Sequence, residues 1–193
     1  DGTIDPSKLV RFPASAPRAG LFTRAGYALS GARDTNPIIR GSRIRKDYFC
    51  ENLQPPAAFN LSDTVPIVGP PTIRNIIVAN TEIPGSVCVS CHKNSINPLG
   101  FPLENYDSFG RYRSQEAIYD KTSGAVTQSV RVDASSVPFV SSNDSASVDD
   151  GVTFSQHLGN SIEYNSCFVR HYFRFSQARV EDNAADGCKL NHM

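Results

Sequence analysis

Cys88, Cys91 and His92 are the residues of this chain whose types and spacing do chemistry together. The run C-V-S-C-H is the attachment signature of a c-type haem. Two thiols three apart on one turn can each bond a vinyl carbon of the same rigid porphyrin. The next residue, His92, then lies beneath the iron as its proximal ligand. A zinc site would need two further ligands at short spacing, and no second C-x-x-C or H-x-x-x-H exists here. A thioredoxin-like disulfide would want a βαβ context, which the Pro- and Gly-rich surroundings do not offer.

If His92 fills one axial position, the other decides the chemistry. The only methionine is Met193, at a terminus that ordinarily frays. The remaining histidines are His157, His171 and His192. His171, on an aromatic amphipathic segment, is the best single candidate for a second iron ligand; each of the three also reads as a surface or capping histidine. Arg111 and Arg113 have guanidinium forks that suit propionate carboxylates, with an exposed basic turn as the plainer reading. Tyr106, Phe109 and Tyr112 read as haem-packing aromatics. Glu104 and Asp107 share a helix face, where two acids are more often capping groups or arginine partners than acid/base catalysts.

Lys+Arg and Asp+Glu number 19 each, so the net charge is zero, which argues against nucleic acid or an anionic membrane as main partner. The stretch Arg33 to Lys46 is locally basic and reads as solvated, with a docking or propionate patch as the lesser reading. No apolar run approaches a membrane span. The chain starts at Asp1 and shows no secretory signal, which reads as a processed chain or part of a longer one. Covalent haem attachment and persistent disulfides belong to an oxidising, extracytoplasmic compartment: periplasm, outer surface or secreted. Of the three other cysteines, Cys167 and Cys188 are the expected pair, closing a loop of about twenty residues worth roughly 3 kcal/mol. Cys50 is then odd, as a buried thiol or a bond to another chain or segment.

The elements that must position these residues are short. Thirteen prolines and thirteen glycines predict much irregular backbone. Residues 1–18 read as an extended lead-in. Helices are expected over Ala19–Ser30, Ile38–Asn52 and Thr72–Asn80, with a proline-rich strap over Leu53–Pro71. Asn97–Pro102 reads as a turn and Leu103–Phe109 as a short helix stopped by Gly110. Tyr119–Val132 reads as a hairpin turning at Ser123-Gly124, and Val137–Asp150 as a long loop. His157 opens a helix ahead of the last one. On that closing helix Phe168, Tyr172 and Phe175 form a core stripe with Val169 and Phe173 as its shoulder.

The order of pieces resembles the planctomycete-type c-cytochrome domains of uncharacterised function found near the C-terminal end of large secreted bacterial cytochromes. The matching pieces are R-A-G-L-F-T (18–23), N-P-I-I-R-G (36–41), C-V-S-C-H (88–92) and I-N-P-L-G-F-P-L-E-N-Y-D-S-F-G-R-Y-R (96–113). A closing C-F-V-R-H-Y-F-R-F-S-Q-A-R looks like the companion domain that follows the haem domain in such proteins. The resemblance implies one covalent haem per domain, export and attachment to a larger redox protein. Many relatives carry Met shortly after the haem His, where this chain has Asn94, Ser95 and Ile96, and many carry His ahead of the first Cys, where it has Asn80 and Thr81.

The resulting expectation is a mainly α, loop-rich, monohaem c-type cytochrome domain over 19–118. Residues 119–193 form a C-terminal hairpin, loop and helical appendage packed on it. One covalent haem c would transfer electrons to other redox proteins, haem domains or chains of an assembly. The other readings are a structural or interaction module stapled by haem, and an open-site haem enzyme of peroxidase-like activity.

Overall fold

Asparagine followed by proline starts two of the helices on which the molecule is built. A computed structural model describes residues 12–13, 15, 17–30, 32–54 and 65–193. Asn36 caps α2 (Pro37–Arg43), its side chain accepting from the Ile39 amide at 3.1 Å, with Pro37 at the first turn where its missing N–H costs nothing. A π-helical turn, Ile44–Tyr48, continues α2. Asn97-Pro98 opens α5 (Asn97–Gly100), which runs into a 3₁₀ turn, Phe101–Leu103. The expected turn over 97–102 is thus helical, because both prolines sit at first-turn positions that tolerate them.

Between these lie α3 (Ile73–Thr81), capped by Thr72, and α4 (Val87–Cys91), which passes into a second π-helical turn, His92–Ile96. Ahead of them, the expected helix over 19–30 shrinks to one turn, α1 (Ala25–Ala28). Gly20 has φ +61, and the Thr23 hydroxyl bonds both the amide and the carbonyl of Ala19 at 2.7 Å, so a side-chain-locked turn displaces the first half of that helix. The helix expected over 103–109 is replaced by turns. The Asp107 carboxylate accepts from the Phe109 and Arg111 amides at 2.9 Å and turns the chain there, and Gly110 at φ +74 belongs to that turn rather than ending a helix. Most of the lead-in and strap positions, 1–11 and 55–64, lie outside the described residues.

The hairpin is β1 (Gln115–Tyr119) paired antiparallel with β2 (Val126–Arg131), Gln115 opposite Arg131, with a bulge at Ile118/Tyr119. It begins four residues earlier than the alternation alone indicated, because β1 pairs through polar Gln115 and Glu116. The Asp120 carboxylate gathers Thr122 and Ser123, and Gly124 at φ +70 completes the connection. Three helices close the chain: α6 (Gly151–Gly159), α7 (Ile162–Gln177) and α8 (Asn183–Asn191). His157 lies in the last turn of α6 rather than opening it, with Nε2 3.0 Å from the Asp144 carboxylate. The architecture is mainly α with one two-stranded antiparallel sheet, and among the described residues no helix is long and apolar enough to cross a membrane.

One apolar core joins the two halves. Phe22, Ile44, Leu99, Leu103 and Tyr106 pack with Val148, Phe154 and Leu158, and Tyr27 and Tyr48 meet Phe22 edge-on at 5.0 Å. Two expectations fail here. On α7 it is the shoulder, Phe173, that is buried, whereas Phe168, Tyr172 and Phe175 are exposed. The buried side of α7 is one position round from the expected stripe, and Phe173 lies beneath the Arg179 guanidinium at 5.0 Å and the Lys189 ammonium at 5.6 Å. The cysteine pairing also differs: Cys50 is bonded to Cys167, and Cys188 is a free, exposed thiol. Cys50, left-handed at φ +55, ends the α2 segment beside α7, and no feature of order along the chain announces that meeting. The bond closes a separation of 117 residues. Replacing both cysteines by serine is expected to cost about 2–4 kcal/mol in chemical denaturation. A non-reducing peptide map should link Cys50 to Cys167 and leave Cys188 free.

The α7–α8 junction is ionic. Arg174 holds Glu181 through two bonds of 2.6 Å, and Arg179 holds Asp186 through two of 2.7 Å. The Arg174 guanidinium pushes Glu181 down to about 2, and that of Arg179 pushes Asp186 to about 2. Folded values below the ordinary carboxylate values mean that these contacts stabilise the junction above the ordinary range and stop doing so as pH falls toward 2. Hydrogen exchange should therefore find α8 amides protected at pH 5 and released between roughly pH 4 and pH 2, ahead of the core helices.

Candidate functional site

The site is assembled by three short helical pieces in succession. Pro84 and Gly85, the latter at φ +80, turn the chain sharply after α3 so that α4 can begin at Val87. On α4 the thiols of Cys88 and Cys91 are three residues apart and so share a face. Both are half-buried and free; they are not bonded to each other. His92 follows at the start of the π-helical turn.

That π turn has a consequence for His92. Its hydrogen bonds run from residue i to i+5, so the Asn97 amide meets the His92 carbonyl and the Asn97 side chain comes level with the imidazole. His92 Nδ1 is 3.1 Å from Asn97 Oδ1. Asn97 is fully buried, and its amide orientation is dictated by its other partners. Its Nδ2 is 2.9 Å from Thr81 Oγ1 and 2.9 Å from Glu82 Oε1. A carboxylate only accepts, and the Thr81 hydroxyl spends its proton on the Ile77 carbonyl at 2.7 Å, so both face N–H groups. Oδ1 is therefore the atom turned to His92, and Nδ1 must carry the proton. The lone pair is then on Nε2, as a metal-ligating imidazole requires. Asn97 is the partner of His92 that reading the sequence missed. An α-helical expectation looks four residues on from His92, to Ile96, and not five.

Helix α2 holds this segment in place by backbone contact. Its Gly41 faces Ile96 and Gly100, and Gly100 faces Pro37. The buried charges form a second support. Arg40 donates to the carbonyls of Ala28, Leu103, Tyr106 and Asp107 and pairs with Glu104 at 3.3 Å. Glu104 also accepts from Thr35 at 2.6 Å and Arg113 at 3.1 Å. Burial raises the Glu104 carboxyl and lowers Arg40, while each partner's charge opposes that shift in the other. Arg45 ties the π turn, through the Ser95 carbonyl at 3.1 Å, to Phe139 at 2.6 Å and Glu51 at 3.0 Å. The basic run from Arg33 is therefore not a solvated segment throughout: Arg40 and Arg45 are 3% and 4% exposed. They are buried because carbonyls and carboxylates from elsewhere in the chain converge on them.

The other expected site residues are placed as follows. Arg113 bonds the Glu104 carbonyl at 2.9 Å as well as its carboxylate. Arg111 points outward and pairs with Asp107 at 2.8 Å. Tyr106 is in the protein core, its hydroxyl donating to the Pro17 carbonyl at 2.6 Å, and Phe109 is exposed. His171 lies at the Cys50–Cys167 bridge, with Nε2 2.9 Å from the Asp47 carbonyl and 3.8 Å from Cys50 Sγ. His192 and Met193 end the chain, exposed, after α8. Glu82 also lines an apolar cleft of about 410 Å³ with Val65, Pro66, Val68, Val78, Ile83 and Pro84.

Residues 18–116 match the family described as PSCyt3, a protein of unknown function (DUF1588). The chain belongs to this family. The PSCyt name implies a planctomycete cytochrome-like family. The PSCyt3 segment contains α1 to α5, the 88–92 motif, Asn97, Arg40 and Glu104. The closing helix that looked like a companion piece lies beyond it. No curated protein and no solved structure matches the chain. The donor set in the PSCyt3 segment fits a covalently held haem: two free, reachable thiols on one helix face, followed by an imidazole with its Nε2 lone pair available.

Proposed function

We propose that the chain carries one covalent haem c and serves as an extracytoplasmic electron-transfer module, passing electrons to other redox proteins or haem domains. The observation that carries this reading is the pair of unbonded, half-exposed thiols of Cys88 and Cys91 on one face, immediately ahead of His92. Cys88 and Cys91 hold the porphyrin through thioether bonds, and His92 ligates through Nε2. A haem c supplies one-electron chemistry at its iron. The chain's own work is to orient His92 through Asn97 and to brace the π turn and α5 that follow the attachment helix against α2. The Cys50–Cys167 bond, stable in an oxidising compartment, supports placement outside the cytoplasm. Neutral net charge, with no basic surplus, supports protein rather than nucleic-acid partners.

The test is covalency. In material exported by a host with a haem-attachment system, haem should stay with the chain through acid–acetone extraction. Cys88→Ala with Cys91→Ala should release it. Haem extractable from the unaltered protein, or none bound at all, would overturn the proposal.

A further inference from the structure

We propose that Asn97 and Glu82 set the electron donation of the His92 imidazole and thereby hold the iron's reduction potential down; this rests on the reading of Cys88, Cys91 and His92 as a haem c site. The argument begins with the three contacts of the Asn97 side chain. Both hydrogens of its Nδ2 are taken, one by Thr81 and one by Glu82, each at 2.9 Å, and its Oδ1 takes the proton of His92 Nδ1 at 3.1 Å. An amide whose N–H faces a carboxylate is polarised toward its oxygen, and hydrogen bonds in series strengthen one another where water is excluded. Asn97 is fully buried, so water does not screen this series at its centre. The Glu82 charge is thus relayed to Nδ1, and the imidazole gains anionic character. A more basic proximal ligand favours ferric over ferrous iron.

Thr81 and Glu82 make the same kind of contact with Asn97, but only Glu82 brings a charge. That difference separates electronic tuning from simple positioning. Glu82→Gln keeps an acceptor oxygen for Asn97 Nδ2 and removes the charge. Thr81→Val removes a neutral acceptor and keeps the charge.

The experiment is potentiometric titration of the haem-loaded protein and both variants, followed by visible absorbance. Glu82→Gln should weaken the preference for ferric iron about tenfold, which for a one-electron couple raises the potential by ~59 mV. Thr81→Val should move it by less than half of that. In the reduced protein, the His92 Nδ1 proton should be observable and protected from exchange, and it should exchange faster in Glu82→Gln. A Glu82→Gln potential equal to that of the unaltered protein overturns the proposal, and so does an equal rise in both variants. An unaltered chain carrying no covalent haem overturns the haem reading itself and the inference with it, an outcome visible before any potential is measured.

Discussion

Arg40→Ala is expected to cost about 3–5 kcal/mol of folding stability, a large share of the ~5–15 kcal/mol that holds a domain together. Arg40 is 3% exposed and its guanidinium joins α1, α2 and the 103–107 turn through four carbonyls and Glu104. Truncation strands those carbonyls in the interior. It also leaves Glu104, itself 1% exposed, with Thr35 and Arg113 as its remaining partners. Urea denaturation monitored by far-UV circular dichroism checks this. The double change Arg40→Met with Glu104→Gln should cost less than the sum of its parts, because neither member of the Arg40–Glu104 pair is left as a charge without the other. A single-variant loss below about 1 kcal/mol would show that Arg40 is not the hub described.

Gly100→Ala and Gly41→Ala are expected to be as severe, at about 3 kcal/mol or more each. Alanine in a helix ordinarily gains up to ~1 kcal/mol over glycine, so the expected sign is reversed by packing alone. A Cβ on Gly100 would lie 2.1 Å from the Pro37 carbonyl oxygen, and one on Gly41 would lie 2.0 Å from that of Ile96. Both obstacles are backbone atoms, which cannot rotate aside as a side chain can. Relief therefore requires α2 to separate from the His92–Gly100 segment, which removes the packing that holds that segment in place. Gly26→Ala is the internal control. It too is helical, but nothing lies within 4 Å of its Cβ position, and it should be neutral or mildly stabilising. Equal tolerance at positions 26, 41 and 100 would contradict the close crossing of α2 and α5.

What could be read from residue order was local. The helix from Thr72, the helix starting near Ile38 and Ser123-Gly124 as a hairpin connection all rest on signals within a few residues of themselves. The C-x-x-C-H spacing carries its own chemistry in the same way. Glu104 and Asp107 were legible as arginine partners, and they pair with Arg40, Arg113 and Arg111. The features that escaped depend on distant meetings or on a shifted helical repeat. Arg40 and Arg45 read as solvated because their carbonyl partners lie tens of residues away, at Leu103 and Phe139. Cys50 and Cys167 are 117 residues apart, and proximity along the chain favoured Cys188 instead. Asn97 was hidden because a π turn moves the neighbour of His92 from the fourth residue to the fifth. On α7 the aromatic period was legible, but which side is covered depended on Arg179 and Lys189 from the following turn and α8, so Phe173 rather than Phe168 is inside.

The most direct test of the central claim is a peptide mass map of the exported protein. Trypsin should cut after Arg74 and Lys93, so one peptide, Asn75 to Lys93, contains both motif cysteines and His92. The account predicts that this peptide carries the mass of one haem bonded at Cys88 and Cys91, and that Cys188 appears elsewhere as a free thiol. The same peptide without added mass, with Cys88 and Cys91 reduced or bonded to each other, would contradict it.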